Sequence, residues 1–163
     1  MRRVILMRHA KSDWSAGMQD HERPLNKRGK TSAHALGQWL QTRNYIPDQV
    51  LCSSAERTGQ TLLGLGLAAT IQVDFSRQLY LAEADMIYAA LRDVEVECVL
   101  MIGHNPGIAD LAHRLISDPP EHPRFLDYPT GATLVLDFAN QRDDGVSWQN
   151  CQLVDFIVPG DLR

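Results

Sequence analysis

The chain has 163 residues, 44% of them hydrophobic and 22% charged, which is typical of a globular protein and predicts one domain over residues 1–163. Its net charge of −4 argues against a broad basic surface for nucleic acid or for an anionic membrane. We therefore expect neither of these as a partner, and any anion site has to be local.

The cysteines and the first residues predict a cytoplasmic protein. Cys52, Cys98 and Cys151 are odd in number and widely spaced, a pattern that favours neither a disulfide framework nor a zinc site. The stretch Met1–Met7 carries two arginines and is too short for a signal-peptide core or a membrane span. We interpret it as the start of a first β-strand.

Strands and helices alternate along the chain. Continuous apolar runs predict buried strands, and apolar residues spaced three and four apart predict helices. The predicted strands cover Val4–Met7, Gln49–Ser53, Ile71–Phe75, Cys98–Ile102, Ala132–Phe138 and Trp148–Val158, and the predicted helices cover Asn26–Arg43, Ala55–Leu65, Ala84–Asp93 and Ile108–Ile116. This order predicts an α/β fold, a three-layer α/β/α sandwich with a mostly parallel central sheet.

Local signals predict how some connections are built. Ser54 is a predicted N-cap of the second helix, and Asn105 followed by Pro106 fits the start of the fourth. The stretch Ser117–Pro129 contains four prolines and is predicted to be a surface loop. A polar turn rich in Asp, Asn and Gly is expected to join the last two strands.

Basic side chains follow three of the predicted strands. Arg8 and His9 come directly after the first strand, Arg57 follows the second, and His104 follows the strand that ends at Ile102. Because the carboxyl ends of parallel strands meet at one edge of a sheet, these four side chains are expected to form a cationic cup. Arg57 also falls in the first turn of a helix, where the macrodipole disfavours a cation by about 0.3–1 kcal/mol. The sequence therefore predicts a site for a phosphate-like dianion.

These four residues stand in a series of motifs along the chain. The motifs are Leu6-Met7-Arg8-His9-Ala10-Lys11-Ser12, Arg23-Pro24-Leu25-Asn26 with Gly29, Ser53-Ser54-Ala55-Glu56-Arg57-Thr58 with Gln60-Thr61, Gly103-His104-Asn105-Pro106-Gly107, and Pro129-Thr130-Gly131-Ala132. Their order resembles the histidine phosphatase superfamily, also called the phosphoglycerate mutase-like group, and the resemblance spans essentially the whole chain. The short length of the chain and its Arg-Pro-Leu block are most similar to the SixA branch of small phosphohistidine phosphatases.

The resemblance implies a role for each core residue of the site. His9 would be the nucleophile that becomes phosphohistidine, Arg8 and Arg57 would hold the phosphoryl oxygens, and His104 would donate a hydrogen bond to the transferred group. It implies further phosphate contacts from the two residues Ser12 and Arg23. No metal or other cofactor is implied, because phosphoryl transfer needs chiefly positioning and charge stabilisation.

The general acid is the point at which the sequence departs from the family pattern. Many members place a glutamate after the third strand to protonate the leaving oxygen, and Glu83 is the candidate here, although its register does not match cleanly. Weak acid assistance suits a nitrogen leaving group better than an alkoxide. We therefore expect a phosphatase that acts on phosphohistidine of proteins.

Other functions account for parts of the pattern. A phosphatase of a small-metabolite phosphomonoester needs the same site, and so does a mutase, although a chain of this length has little material for a lid. A phosphoanion-binding module, which is not an enzyme, needs the arginines but not His9. A metal-dependent hydrolase would use His9, His104 and Asp110, yet no two histidines show ligand spacing on one helix.

Some suggestive residues are predicted to have no catalytic role. Gly64, Gly66 and Ala69 match the spacing of a dinucleotide-binding loop, but they end a helix instead of following a strand. The remaining histidines fall in helical patterns or polar loops, and they are His21, His34, His113 and His122.

Overall fold

The computed structural model describes residues 3–138 and 151–163, and it contains one six-stranded sheet covered by helices. The strands are β1 (Arg3–Arg8), β2 (Gln49–Ser53), β3 (Gln72–Ser76), β4 (Cys98–Gly103), β5 (Thr133–Phe138) and β6 (Cys151–Ile157). The α-helices are α1 (Lys27–Thr42), α2 (Glu56–Leu65), α3 (Ala84–Arg92) and α4 (Gly107–Leu115).

The sheet has the order β3-β2-β4-β1-β5-β6. Neighbours from β3 to β1 pair in parallel, whereas β5 pairs antiparallel with both β1 and β6. Only β5 therefore runs against the other described strands. The predicted mostly parallel sheet is confirmed.

Successive side chains of the central strand β1 point to opposite faces of the sheet, which explains why helices cover both faces and form three layers with it. Val4 and Leu6 face a core shared with α3 and α4, while Ile5 and Met7 face a core shared with α1 and α2. All four side chains are fully buried. Because such a parallel strand is covered on both faces, its residues form a continuous apolar run.

The predicted elements all occur, and each described boundary lies within one residue of the predicted one. The predicted last strand begins at Trp148, and residues 148–150 lie outside the described residues, as does the polar turn predicted before them. Strand β3 is the most exposed, with Phe75 60% exposed, because it lies at the edge of the sheet.

Both predicted helix caps are wrong. The N-cap of α2 is Ala55, and the hydroxyl of Ser54 instead lies 2.8 Å from His21 Nε2. The N-cap of α4 is Pro106, and the Asn105 amide donates to the Tyr128 carbonyl at 2.9 Å. Both side chains have partners outside the helix, and these compete with the capping geometry.

The 117–129 segment is irregular, as predicted, but it is not merely a surface loop. Phe125 and Tyr128 are 3% and 0% exposed and belong to the core beneath α3 and α4. The Tyr128 hydroxyl donates to the Leu6 carbonyl at 2.6 Å. These contacts therefore fix the segment at the edge of the sheet where the basic residues lie.

Candidate active site

Three adjacent strands, β2, β4 and β1, bring the predicted residues to one rim of the sheet. Arg8 ends β1 and pairs with Gly103 at the end of β4, so the following residues, His9 and His104, lie side by side. The centroids of their imidazole rings are 5.3 Å apart. Arg57 is the second residue of α2, which follows β2 through a short turn.

These four side chains line a cavity of about 510 Å³. The sequence-predicted Ser12 and Arg23 line it as well. The other lining residues come from the loops around the rim, and they are Lys11, Trp14, Asp20, Leu81, Asn105, Arg124, Asp127, Pro129 and Thr130.

His9 is held with one ring nitrogen available as a nucleophile. Its Nδ1 lies 2.7 Å from the carbonyl oxygen of Ala10, an acceptor, so Nδ1 carries the proton and donates. Its Nε2 receives a hydrogen bond from Arg57 Nε at 3.3 Å, which requires a lone pair on Nε2. Burial, together with the nearby cations, lowers the pKa of His9 to about 3. The imidazole is therefore neutral at pH 7.

His104 is neutral for the same reasons, because burial and the charge of Arg57 lower its pKa to about 3. Its Nδ1 lies 3.3 Å from Arg57 Nη2, and a guanidinium can only donate. The proton is therefore on Nε2, which lies 2.7 Å from the hydroxyl of the fully buried Ser53.

Arg57 is fixed from every side. Besides its bonds to both histidines, its Nη1 donates to the Asp20 carbonyl at 2.6 Å and its Nη2 donates to the Asp20 carboxylate at 3.1 Å. The side chain is only 2% exposed. A planar guanidinium with this many partners holds one orientation.

Asp20 is the site residue that the sequence reasoning missed. Its carboxylate also accepts a hydrogen bond from Arg23 Nη2 at 2.9 Å and one from the Tyr80 hydroxyl. These bonds, together with that from Arg57, hold the pKa of Asp20 well below its usual range. A negative charge thus lies between two buried arginines.

Ser12 and Arg23 are joined to each other at the wall of the cavity. Arg23 Nη1 donates to the Ser12 hydroxyl, and an isolated β-bridge links Ser12 to Leu25. The guanidinium of Arg23 also stacks on Trp14, with its carbon 3.6 Å from the ring centroid.

Some polar atoms of the cavity have no partner. Among the described residues, the buried side-chain atoms without a hydrogen bond are Arg8 Nε, Arg23 Nε and Asn105 Oδ1, and all three residues line the cavity. Burial and the charge of Arg57 lower the pKa of Arg8. Buried guanidinium groups with unpaired donors, in residues that line a cationic cavity, are chemically suited to an oxyanion.

Glu83 does not join this cluster. It is the N-cap of α3 and lines a neighbouring cavity of about 270 Å³ with Asp110 and Arg114. Leu81, two residues earlier, lines both cavities.

Within residues 3–138 and 151–163, no three His, Cys, Asp or Glu side chains come close enough together to hold a metal ion. No α-helix described there has the length and apolarity to cross a membrane.

The comparisons with known proteins agree with this geometry. The family model of the histidine phosphatase superfamily (branch 1) matches residues 4–86. An uncharacterised Mycobacterium tuberculosis protein, Rv1276c, is 36% identical over 160 residues, which cover 94% of this chain and 99% of that protein. The chain therefore belongs to the histidine phosphatase superfamily, and this membership supports a phosphatase activity.

Within the superfamily, the chain falls in the SixA-like branch. A crystal structure assigned as phosphohistidine phosphatase SixA from Agrobacterium tumefaciens matches with 29% identity and a TM-score of 0.79, covering 97% of this chain and 99% of that one. The corresponding Nakamurella multipartitia structure matches with 32% identity and a TM-score of 0.75, covering 93% and 95%.

The lowered histidine pKa values predict that stability falls in mild acid. An imidazole in the unfolded chain has a pKa of about 6.5, whereas those of His9 and His104 are about 3 in the folded protein. Between these values the unfolded state binds more protons, so the contribution is complete above about pH 6.5 and is lost as the pH falls. We expect the free energy of unfolding in phosphate-free buffer to fall by up to about 1.4 kcal/mol per pH unit for each histidine.

Two variants test this pH dependence of stability: His9→Asn, and the surface change His34→Asn as its control. Urea unfolding at pH 7, 6, 5 and 4 should show a shallower pH dependence for His9→Asn than for the unmodified protein, and an unchanged one for His34→Asn. Equal slopes in all three proteins would contradict the lowered pKa of His9.

The orientation of Arg57 predicts that Arg57→Lys binds oxyanions poorly. An ammonium cannot replace a guanidinium whose three nitrogens each have a separate partner, and lost charge-assisted hydrogen bonds should raise the Kd for tungstate about tenfold or more. Calorimetric titration measures this Kd, with the exposed Arg43→Lys as the control. Unchanged tungstate affinity in folded Arg57→Lys would show that only the charge matters.

Proposed function

We propose that this protein is a metal-independent phosphatase that removes the phosphoryl group from phosphohistidine on proteins, using His9 as its own phosphate-accepting residue. The observation that carries the proposal is the state of His9. Its Nε2 holds a lone pair at neutral pH, and this nitrogen lies beside Arg57 in a cavity with unpaired guanidinium donors. A module that only binds phosphate has no need of such a nucleophile.

The first step transfers the phosphoryl group to the enzyme. The Nε2 lone pair of His9 attacks phosphorus, a new P–N bond forms, and the P–N bond to the substrate's imidazole breaks. That imidazole leaves as a neutral ring when its other nitrogen carries a proton. Arg8 and Arg57 stabilise the charge spread over the phosphoryl oxygens.

The second step returns the enzyme to its starting state. Water attacks phosphorus, the bond to His9 Nε2 breaks, and phosphate leaves with the oxygen and protons of the water. His104 keeps its proton on Nε2, toward the Ser53 hydroxyl, and its Nδ1 accepts from Arg57 Nη2. It thereby helps to hold the guanidinium beside His9, where the phosphoryl group is transferred.

The carboxylates of the cavity favour a nitrogen leaving group. Among the described lining residues only Asp20 and Asp127 are acidic. Hydrogen bonds from Tyr80 and Arg23 lower the pKa of Asp20, and a hydrogen bond from Arg124 lowers that of Asp127. Both are ionised at neutral pH and cannot protonate an alkoxide, whereas a neutral imidazole needs no such proton.

The mouth of the cavity favours a protein as the bearer of the phosphoryl group. Trp14 and Leu81 line it and are 80% and 51% exposed. Large apolar side chains at a site entrance are covered when another protein surface docks there. The two SixA structures of 29% and 32% identity support the same class of substrate.

A phosphoenzyme on His9 is the first expected outcome. Rapid quenching with a ³²P-labelled phosphohistidine peptide should trap an acid-labile, alkali-stable phosphoryl group on His9. The variant His9→Ala should lose essentially all turnover while remaining folded, because the side chain follows β1 and adds little to the core beneath it.

The control is His34→Ala, which removes an exposed histidine and should keep full turnover. Label on a serine or an aspartate, or normal turnover in His9→Ala, would overturn the mechanism.

A preference for phosphohistidine is the second expected outcome. Because the acidic residues of the described cavity lining are ionised at pH 7, kcat/KM for a phosphohistidine peptide should exceed that for the matching phosphoserine peptide and for sugar phosphates by about 100-fold or more, the usual size of general-acid assistance. The comparison is made at pH 7 in the presence of a chelator.

Glu83→Gln provides the internal check on this argument. We expect it to leave the rate on both peptides unchanged, because Glu83 lies outside the cavity lining. Strong preference for one small phosphomonoester, or loss of activity in Glu83→Gln or with chelator, would favour the small-metabolite or metal-dependent alternative.

A further inference from the structure

The active-site cavity of about 510 Å³, which we call the phosphoryl cavity, has a neighbour. A second cavity of about 250 Å³ adjoins it. The two share the residues Lys11, Arg124, Pro129 and Thr130, so they lie side by side. We call this second cavity the basic groove. Its far wall comes from the start of α1 and from the last residues of the chain.

The charged side chains that line the basic groove are all cationic. Lys11, Arg28, Arg124 and Arg163 line it, and none of the described residues in its lining is acidic. Within residues 3–138 and 151–163, Lys11, Arg28 and Arg163 form no ion pair, and only Arg124 has an acidic partner, Asp127. The clustering contrasts with the net charge of −4 for the whole chain.

Exposure decides what kind of ligand suits this groove. Its four cationic side chains are exposed, unlike Arg23 and Arg57 in the phosphoryl cavity, which are 7% and 2% exposed. Exposed cations contribute modestly to affinity but act on partner choice and on association. The hydroxyls of Ser32 and Thr130 add hydrogen-bonding groups at its floor and edge.

We propose that the basic groove binds acidic side chains that flank the phosphohistidine of a protein substrate. The inference rests on the proposed function, because it places the phosphohistidine in the adjoining cavity. Glutamate or aspartate a few residues from the phosphohistidine then reaches Lys11, Arg28, Arg124 and Arg163. The groove thereby selects among phosphohistidine proteins by the charge of their flanking sequence.

The test compares two phosphohistidine peptides, one with flanking glutamates and one with glutamines, together with free phosphohistidine. The unmodified protein should favour the acidic peptide about three- to tenfold in kcat/KM at low salt, the range expected of two or more exposed ion pairs. The preference should shrink at about 0.5 M salt, where exposed charges are screened.

The variant is Arg28→Gln/Arg163→Gln, since neither residue lines the phosphoryl cavity. It should lose most of the preference and keep its rate on free phosphohistidine. The matched control, Lys27→Gln/Lys30→Gln, removes the same charge from the same end of α1 outside the groove and should keep the preference. An unchanged preference in the groove variant, or none in the unmodified protein, would overturn the proposal.

A binding measurement separates failure of this inference from failure of the proposed function. An unphosphorylated, fluorescently labelled Glu-rich peptide should bind the unmodified protein more tightly than its Gln-rich counterpart, and Arg28→Gln/Arg163→Gln should remove that difference. This holds whether or not phosphohistidine is hydrolysed. A dependence on Arg28 and Arg163 seen only with a small bisphosphate, and not with acidic peptides, would overturn the assignment to proteins.

Discussion

The site depends on one constraint: the fold buries more cationic side chains than it pairs with anions. Arg23 and Arg57 are almost inaccessible, and Arg8 Nε and Arg23 Nε have no partner in the described structure. Burying a charge is costly unless it is paired and hydrogen-bonded. The structure limits that cost in two ways: Asp20 supplies a carboxylate, and both histidines stay neutral. An oxyanion bound in the cavity would supply the negative charge that is still missing.

The same charges bear on the protonation of His9. A protonated imidazole has no nucleophilic lone pair, and a further positive charge beside Arg8 and Arg57 would be unfavourable. Burial lowers the pKa of His9 most, and the charges of Arg57 and Arg8 lower it further. In the proposed function, binding and nucleophilicity therefore share one arrangement of charges, which depends on β1, β2 and β4 ending side by side.

The sequence predicted the fold and the centre of the site because both follow local rules. Short apolar runs mark strands covered on both faces, and whatever follows them in a parallel sheet lies at the same edge. That reasoning located the strand ends that carry Arg8, His9, Arg57 and His104, and the structure brings these four side chains into one cavity. It needed no knowledge of side-chain contacts.

What the sequence did not predict depends on contacts between distant loops. Asp20 lies in a polar stretch without periodicity, and its partners Arg57 and Tyr80 are 37 and 60 positions away. Ser54 and Asn105 resemble helix caps locally, yet each is taken by a partner from another segment. Tyr128 sits among prolines and charges, and only the tertiary fold shows that it is fully buried. In each case a tertiary partner outweighed a local preference.

Asp20 also bears on how a substrate enters. A phosphoryl dianion that binds between Arg57 and Arg23 has to displace the Asp20 carboxylate or share the guanidinium groups with it. Displacement is feasible because the Asp20 side chain is 45% exposed, whereas those of Arg23 and Arg57 are 8% and 3% exposed. The exposed member of the cluster is thus the anion, and the cations are the buried ones. A dianion gains more from two fixed guanidinium groups than a single carboxylate does. In the proposed function, the buried arginines would therefore set the strength with which a phosphoryl group is held, and the exposed cations of the basic groove would act on which molecule carries it there.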